Sequence, residues 1–125
     1  MKKLILSTAS ILGFMSIILG AFGAHLLEDY LIFSDKLNSF ETAVKYQFYH
    51  VFFLMILGLC YDQFDKSFIK YAFFSVLMGV FLFSGSLYVI CLTNNNMFGI
   101  LTPFGGFFLI IAWLLFLFSM RFHPD

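Results

Sequence analysis

Residues 71–93 read YAFFSVLMGVFLFSGSLYVICLT, a stretch without one charged side chain. A bilayer-spanning helix needs about 20 mostly apolar residues, because the hydrocarbon core is about 30 Å thick and each helical residue rises about 1.5 Å. This stretch meets that requirement by itself. Working outward, 4–27 is uncharged with one His near its far end, and 100–120 is uncharged throughout. The run 45–61 is apolar around Gln47 and His50, and Lys45 can snorkel at its edge. Phe68 to Lys70 lead into the third run, which extends it to 69–93. The pattern predicts an all-α integral membrane protein: one domain over residues 1–125 with four transmembrane helices at about 4–27, 45–61, 69–93 and 100–120 in an antiparallel bundle. Its expected place is a plasma or bacterial inner membrane.

Composition agrees. The chain is 62% hydrophobic and 11% charged, whereas soluble domains carry about 25% charged residues. Twenty Phe add to the apolar surface, and a formal net charge of zero with no basic run speaks against nucleic acid as a partner. The longest connection, 28–44, mixes Glu28, Asp29 and Asp35 with Leu31, Ile32, Phe33, Leu37 and Phe40, which suits a helical segment lying at the membrane surface. Asn38 followed by Glu41 resembles a capping box, so the second helix is expected to begin there and then enter the bilayer. Thr102-Pro103 places a cap and a first-turn Pro at the start of helix four, after an Asn94-Asn95-Asn96 turn.

Lys2 and Lys3 ahead of an apolar run imitate a secretory signal, with a weak cleavage pattern at Ala21-Phe22-Gly23. The run exceeds a signal's apolar region and reads as a first span. With four spans, Lys2, Lys3, Lys66, Lys70 and Arg121 share one side, against Lys36 and Lys45 on the other, which predicts both termini in the cytoplasm. Cys60 and Cys91 then lie near opposite surfaces, too far apart for a disulfide, and His123 is expected in solvent.

Lipid is as apolar as Leu, so close packing of small residues must join the helices. Ser16, Gly20 and Ala24 recur every fourth residue in helix one; Gly79 and Gly85 in helix three and Gly105 and Gly106 in helix four offer similar surfaces. A stripe of this kind serves either the bundle or a homo-oligomer. Polar side chains at membrane depth are costly and mark function. His25, Tyr46, Gln47, His50, Ser84, Ser86 and Tyr88 all fall in the half away from the termini and are expected to converge in a polar pocket. Three uses stay open: structural hydrogen bonding, a small-molecule or lipid-headgroup site, and metal, proton or enzyme chemistry through His25 and His50. No paired-His zinc spacing or Gly-x-Ser-x-Gly elbow is present, so no catalytic residue or cofactor is assigned.

Four motifs occur in order: Gly20-Ala21-Phe22-Gly23-Ala24-His25; Phe40-Glu41-Thr42-Ala43-Val44-Lys45-Tyr46-Gln47-Phe48-Tyr49-His50; Phe83-Ser84-Gly85-Ser86-Leu87-Tyr88; and Leu101-Thr102-Pro103-Phe104-Gly105-Gly106 through Trp113. Together they resemble the domain of unknown function 423 (UPF0382) family, to which vertebrate transmembrane protein 256 is similar. Ala112 stands where the family pattern has Gly. The resemblance implies small four-helix membrane proteins and brings no activity. The favoured reading is a non-enzymatic bundle that binds membrane lipids or another membrane protein and supports the envelope. The rivals are an oligomeric small-solute transporter or channel, and a cofactor- or metal-binding protein.

Overall fold

A computed structural model describes residues 1–122, and His123 lies outside the described residues. The chain forms α1 (Lys2–Ala24), a short α2 (Glu28–Phe33), α3 (Leu37–Leu59), α4 (Lys66–Thr93), a 3-10 turn (Asn96–Ile100) and α5 (Thr102–Arg121). Four of these helices are long and apolar enough to cross a membrane. At 23 residues, α1 and α3 are each about 35 Å long, slightly more than the hydrocarbon core.

Local chemistry sets the ends, and several differ from expectation. Helix α1 stops at Ala24 rather than Leu27, because the Leu27 N–H turns back to the Phe22 carbonyl at 2.8 Å. The interfacial segment is helical only over α2, which buries Leu31 and leaves Phe33 in the open. Asp35 then takes a left-handed φ of 55°, which a short polar residue tolerates. The capping box does not form. Helix α3 begins at Leu37 after Lys36, without a side-chain cap, and Asn38 is already inside it. Packing decides this start: Leu37 lies against the buried cluster of Leu31, Phe40 and Cys91. Thr102 does not cap α5 either. Leu101 holds that position, while Pro103 occupies the first turn as expected. Side-chain caps form instead at Asp65, whose Oδ1 accepts from the Ser67 and Phe68 N–H groups at 2.9 and 3.1 Å, and at Asn95, whose Oδ1 accepts from the Met97 N–H at 3.0 Å.

The long helices form an antiparallel meander, α1 on α3, α3 on α4 and α4 on α5. The middle pair is the more enclosed: 44% and 39% of the spanning windows of α3 and α4 are buried, against 22% for α1 and 17% for the last span. The main core gathers in the half nearest the termini, where Ile5 and Ala9 meet Phe53, Leu57, Phe73, Val76, Leu109 and Ala112. Ala112 is fully buried there, so the core accommodates its methyl group. Lys2 Nζ meets Asp62 at 2.9 Å, and the Asp65 N–H reaches the Ser119 carbonyl, so both ends of the described chain and the α3–α4 connection share one face. At the opposite face Lys36 Nζ donates to Asn96 Oδ1 at 3.1 Å. Cys60 and Cys91 are both free thiols.

Small residues bring the helices close. Gly13, Gly20 and Gly23 let α1 lie on Val51, Val44 and Phe40 of α3. Gly79 admits Leu109, and at Gly105 helix α5 rests on the Phe83 backbone of α4. Two expected packing residues do otherwise. A Cβ at Gly85 would meet nothing within 4 Å, and Ala24 is exposed. Helix α1 packs mainly on α3, with a smaller contact to α2, and its flanks remain open beside both residues.

Candidate functional site

Gln47 on α3 joins three helices. Its Nε2 donates to the Leu12 carbonyl of α1 at 3.2 Å, and its Oε1 accepts from the Tyr88 hydroxyl of α4 at 2.8 Å. Leu12 O also receives the Ser16 hydroxyl at 2.7 Å. One turn away, Ser84 Oγ donates to the Ala43 carbonyl at 2.7 Å and ties α4 to α3 again. Ser86 donates to Phe83 O at 3.0 Å and shares a 2.6 Å contact with Thr102 Oγ1, which ties α4 to α5. Helical carbonyls retain a lone pair for such bonds. Each is worth about 0.6 kcal/mol on average inside a membrane.

His50 is buried and points elsewhere. Its Nδ1 lies 2.7 Å from the Tyr46 carbonyl, which can only accept, so the proton sits on Nδ1. Nε2 therefore presents a lone pair, and it is buried without a partner among the described residues. The ring stands edge-on to Phe53 and Trp113, at 6.2 and 6.5 Å between centroids. Tyr46 is on the bundle surface, its ring 4.9 Å from that of Phe83. His25 is not with the others: it is exposed, in a shallow depression with Ile18, Ala21, Phe22 and Leu26. The single expected pocket is thus a set of cross-links along α3 and α4, and no hydrogen bond or ring contact joins His25 to His50. Among the described residues no group of three or more His, Cys, Asp or Glu is placed to hold a metal ion.

Three polar contacts were not specified by the sequence. Ser75 donates to the Phe108 carbonyl at 2.7 Å, a second α4–α5 tie. Its spacing from Gly79 was a sign of a packed face, and only the partner was illegible. Asp65 caps α4, a role its place before a long apolar run signals. The Lys2 ammonium, hydrogen-bonded to Asp62, holds that exposed carboxyl below the usual carboxylate range.

Open space lies on both flanks of α1. On one side, Leu12, Met15, Leu77, Val80 and Phe81 wall a cleft of about 650 Å³ toward α4, with Gln47 and Tyr88 on it and Gly85 leaving its wall low. On the other, Ser16, Ile17, Gly20, Val44 and Phe48 wall a second cleft of about 410 Å³ toward α3, with Glu41 and Lys45 lining it too. The first is almost wholly apolar, and the second is mainly so. Met15, Ile17 and Phe81 are exposed, so both clefts open on the membrane-facing surface.

A family model described as "Protein of unknown function (DUF423)" matches residues 19–106, which holds Gln47, Tyr88 and most of both clefts, while Leu12 precedes it. The chain belongs to the DUF423 family. Relatives in it include a UPF0382 membrane protein of Staphylococcus haemolyticus, 40% identical over 94% of this chain and 94% of its own. UPF0382 membrane protein YwdK of Bacillus subtilis is 34% identical over 90% of this chain and 92% of its own. UPF0382 inner membrane protein YgdD of Escherichia coli K12 is 35% identical over 93% and 88%. No solved structure matches the chain. With four span-length helices, this DUF423 protein is an integral, multi-pass protein of the cell membrane.

Proposed function

We propose that the protein is a non-enzymatic bundle that binds membrane lipid along α1. The observation that carries this reading is the pair of apolar clefts flanking that helix, both open to the membrane-facing surface. Their cause is local. Glycines draw α1 tightly onto α3, and the same lack of side chains leaves the flanks unfilled. An acyl chain fits such a groove because it gains dispersion contacts there without desolvating any polar group. Gln47, Ser84, Ser86 and Tyr88 are engaged in helix-to-helix bonds, which favours a supporting role over a reactive one. By the balance of Lys and Arg, the face carrying Lys2, Lys66 and Arg121 is the cytoplasmic one.

Native mass spectrometry of the protein released from lipid nanodiscs tests the reading. Discrete phospholipid adducts are expected, and they should diminish when Ala24→Phe and Gly85→Leu fill the two clefts. A wild-type protein that emerges free of lipid under conditions that keep it folded would refute it.

A further inference from the structure

The cleft between α1 and α3 differs from its neighbour in carrying two opposite charges, and their order along the helix is informative. The Gly23–Phe40 and Gly20–Val44 contacts set the register of the pair. Glu41 is therefore level with the end of α1, and Lys45 lies one turn deeper, about 6 Å further into the membrane. Below Lys45 the groove continues past Ser16 and Phe48 as apolar wall. Both charged side chains are exposed. They stand four residues apart on one helical face and yet form no ion pair with each other; among the described residues the one ion pair is Lys2–Asp62. Read inward from the surface, the cleft presents an anion, then a cation, then hydrocarbon.

A phospholipid whose headgroup ends in an ammonium has the complementary sequence: cation outermost, phosphate beneath it, acyl chain beneath that. We propose that this cleft is a site for such a lipid, with phosphatidylethanolamine as the simplest case. Lys45 donates to the phosphate, Glu41 accepts from the terminal ammonium, and one acyl chain lies along Gly20 toward Ser16. Charge-assisted hydrogen bonds of this kind are directional and select the headgroup, while the apolar groove holds any chain of adequate length. Phosphatidylglycerol satisfies Lys45 but leaves Glu41 facing a hydroxyl, so it should bind less well. The inference rests on the lipid-binding reading above and adds a headgroup to it.

The test uses the full chain in nanodiscs of equal phosphatidylethanolamine and phosphatidylglycerol, with retained lipid identified by native mass spectrometry. Wild type should retain phosphatidylethanolamine about fivefold over phosphatidylglycerol, the scale of one exposed ion pair. Glu41→Gln should abolish that preference while lipid is still retained. Exchanging the charges, Glu41→Lys with Lys45→Glu, should remove it too, although composition is unchanged. Ala24→Phe, which obstructs the cleft mouth from an exposed position, should reduce retention itself; Trp113 fluorescence verifies that each variant is folded. Equal retention of both lipids by wild type, or a preference that survives the charge exchange, overturns the headgroup assignment and leaves lipid binding standing. Absence of any retained lipid overturns both.

Discussion

Two glycines that read alike in the sequence should respond oppositely to the same methyl group. At Gly105 an added Cβ would overlap the Phe83 backbone nitrogen and lie 2.7 Å from its Cα. Carbon atoms in contact prefer about 3.5–4.0 Å, so α5 must retreat from α4 by about 1 Å. The obstacle is backbone, which no rotamer change removes. Overpacking of this kind costs about 1–3 kcal/mol, and here it acts on the most extensive helix pair in the protein. The retreat also stretches the 2.6 Å Ser86–Thr102 bond and the 2.7 Å Ser75–Phe108 bond. The helix preference for Ala over Gly returns up to about 1 kcal/mol. A net loss of about 2 kcal/mol is expected for Gly105→Ala. At Gly85 nothing stands within 4 Å, so only the favourable contribution remains and Gly85→Ala should be neutral or stabilising by up to about 1 kcal/mol. Trp113, the one tryptophan, stacks on Phe53 at 4.2 Å between centroids and reports whether α5 is docked. Its fluorescence through an SDS titration in mixed micelles measures both variants. A Gly105→Ala protein as stable as wild type, or equal losses at the two sites, would refute the packing argument.

Other consequences are open to measurement. Gln47→Leu and Tyr88→Phe should each destabilise the bundle modestly, and a double-mutant cycle should give a coupling of about 0.5–1.5 kcal/mol; additive effects would mean that the 2.8 Å bond contributes nothing. Asp62 is held low by Lys2, so the contribution of the pair is present above the unfolded carboxylate value of about 3.9 and is lost as pH falls through the lower folded value. Acid titration of wild type against Asp62→Asn should therefore show the two converging below about pH 4, with only a small difference at neutral pH because the pair is exposed; a gap that widens in acid would contradict the assignment. Cys60 at the partly open end of α3 should react with a membrane-permeant maleimide, whereas buried Cys91, whose Sγ lies 3.6 Å from the Lys36 carbonyl, should react only after unfolding. Comparable labelling rates would place α4 differently.

The four spans were legible because an apolar run of that length has few other uses, and the shared placement of Gln47, Ser84, Ser86 and Tyr88 followed from counting residues away from the termini. What each of them bonds to was not legible. Gln47 reaches α1, Ser84 reaches a carbonyl of α3, and Ser86 reaches Thr102, and these choices depend on how the helices rotate against each other. Thr102 shows the same limit from the other side, since a hydroxyl suited to capping found a better partner across the α4–α5 contact. The capping box at Asn38 failed because local propensity of about 1 kcal/mol is easily outweighed by burying Leu37 and Phe40. His25 was grouped with His50 by depth alone, and depth says nothing about which way a residue faces. Gly85 failed for a related reason: a small residue permits close approach without compelling it.

The pairing of each long helix with the one before it also bears on how the molecule is made. Because α3 docks on α1, α4 on α3 and α5 on α4, every helix that leaves the ribosome finds its partner already resident in the bilayer. No helix must wait for a distant later segment, so the chain closes few long loops during assembly. The Gln47 cross-link to Leu12 forms as soon as the second long helix is inserted, and its acceptor waits for Tyr88 on the third. Truncation after residue 65 should accordingly leave a helical hairpin that inserts and pairs, whereas deletion of α3 should strand both α1 and the remaining pair in the membrane.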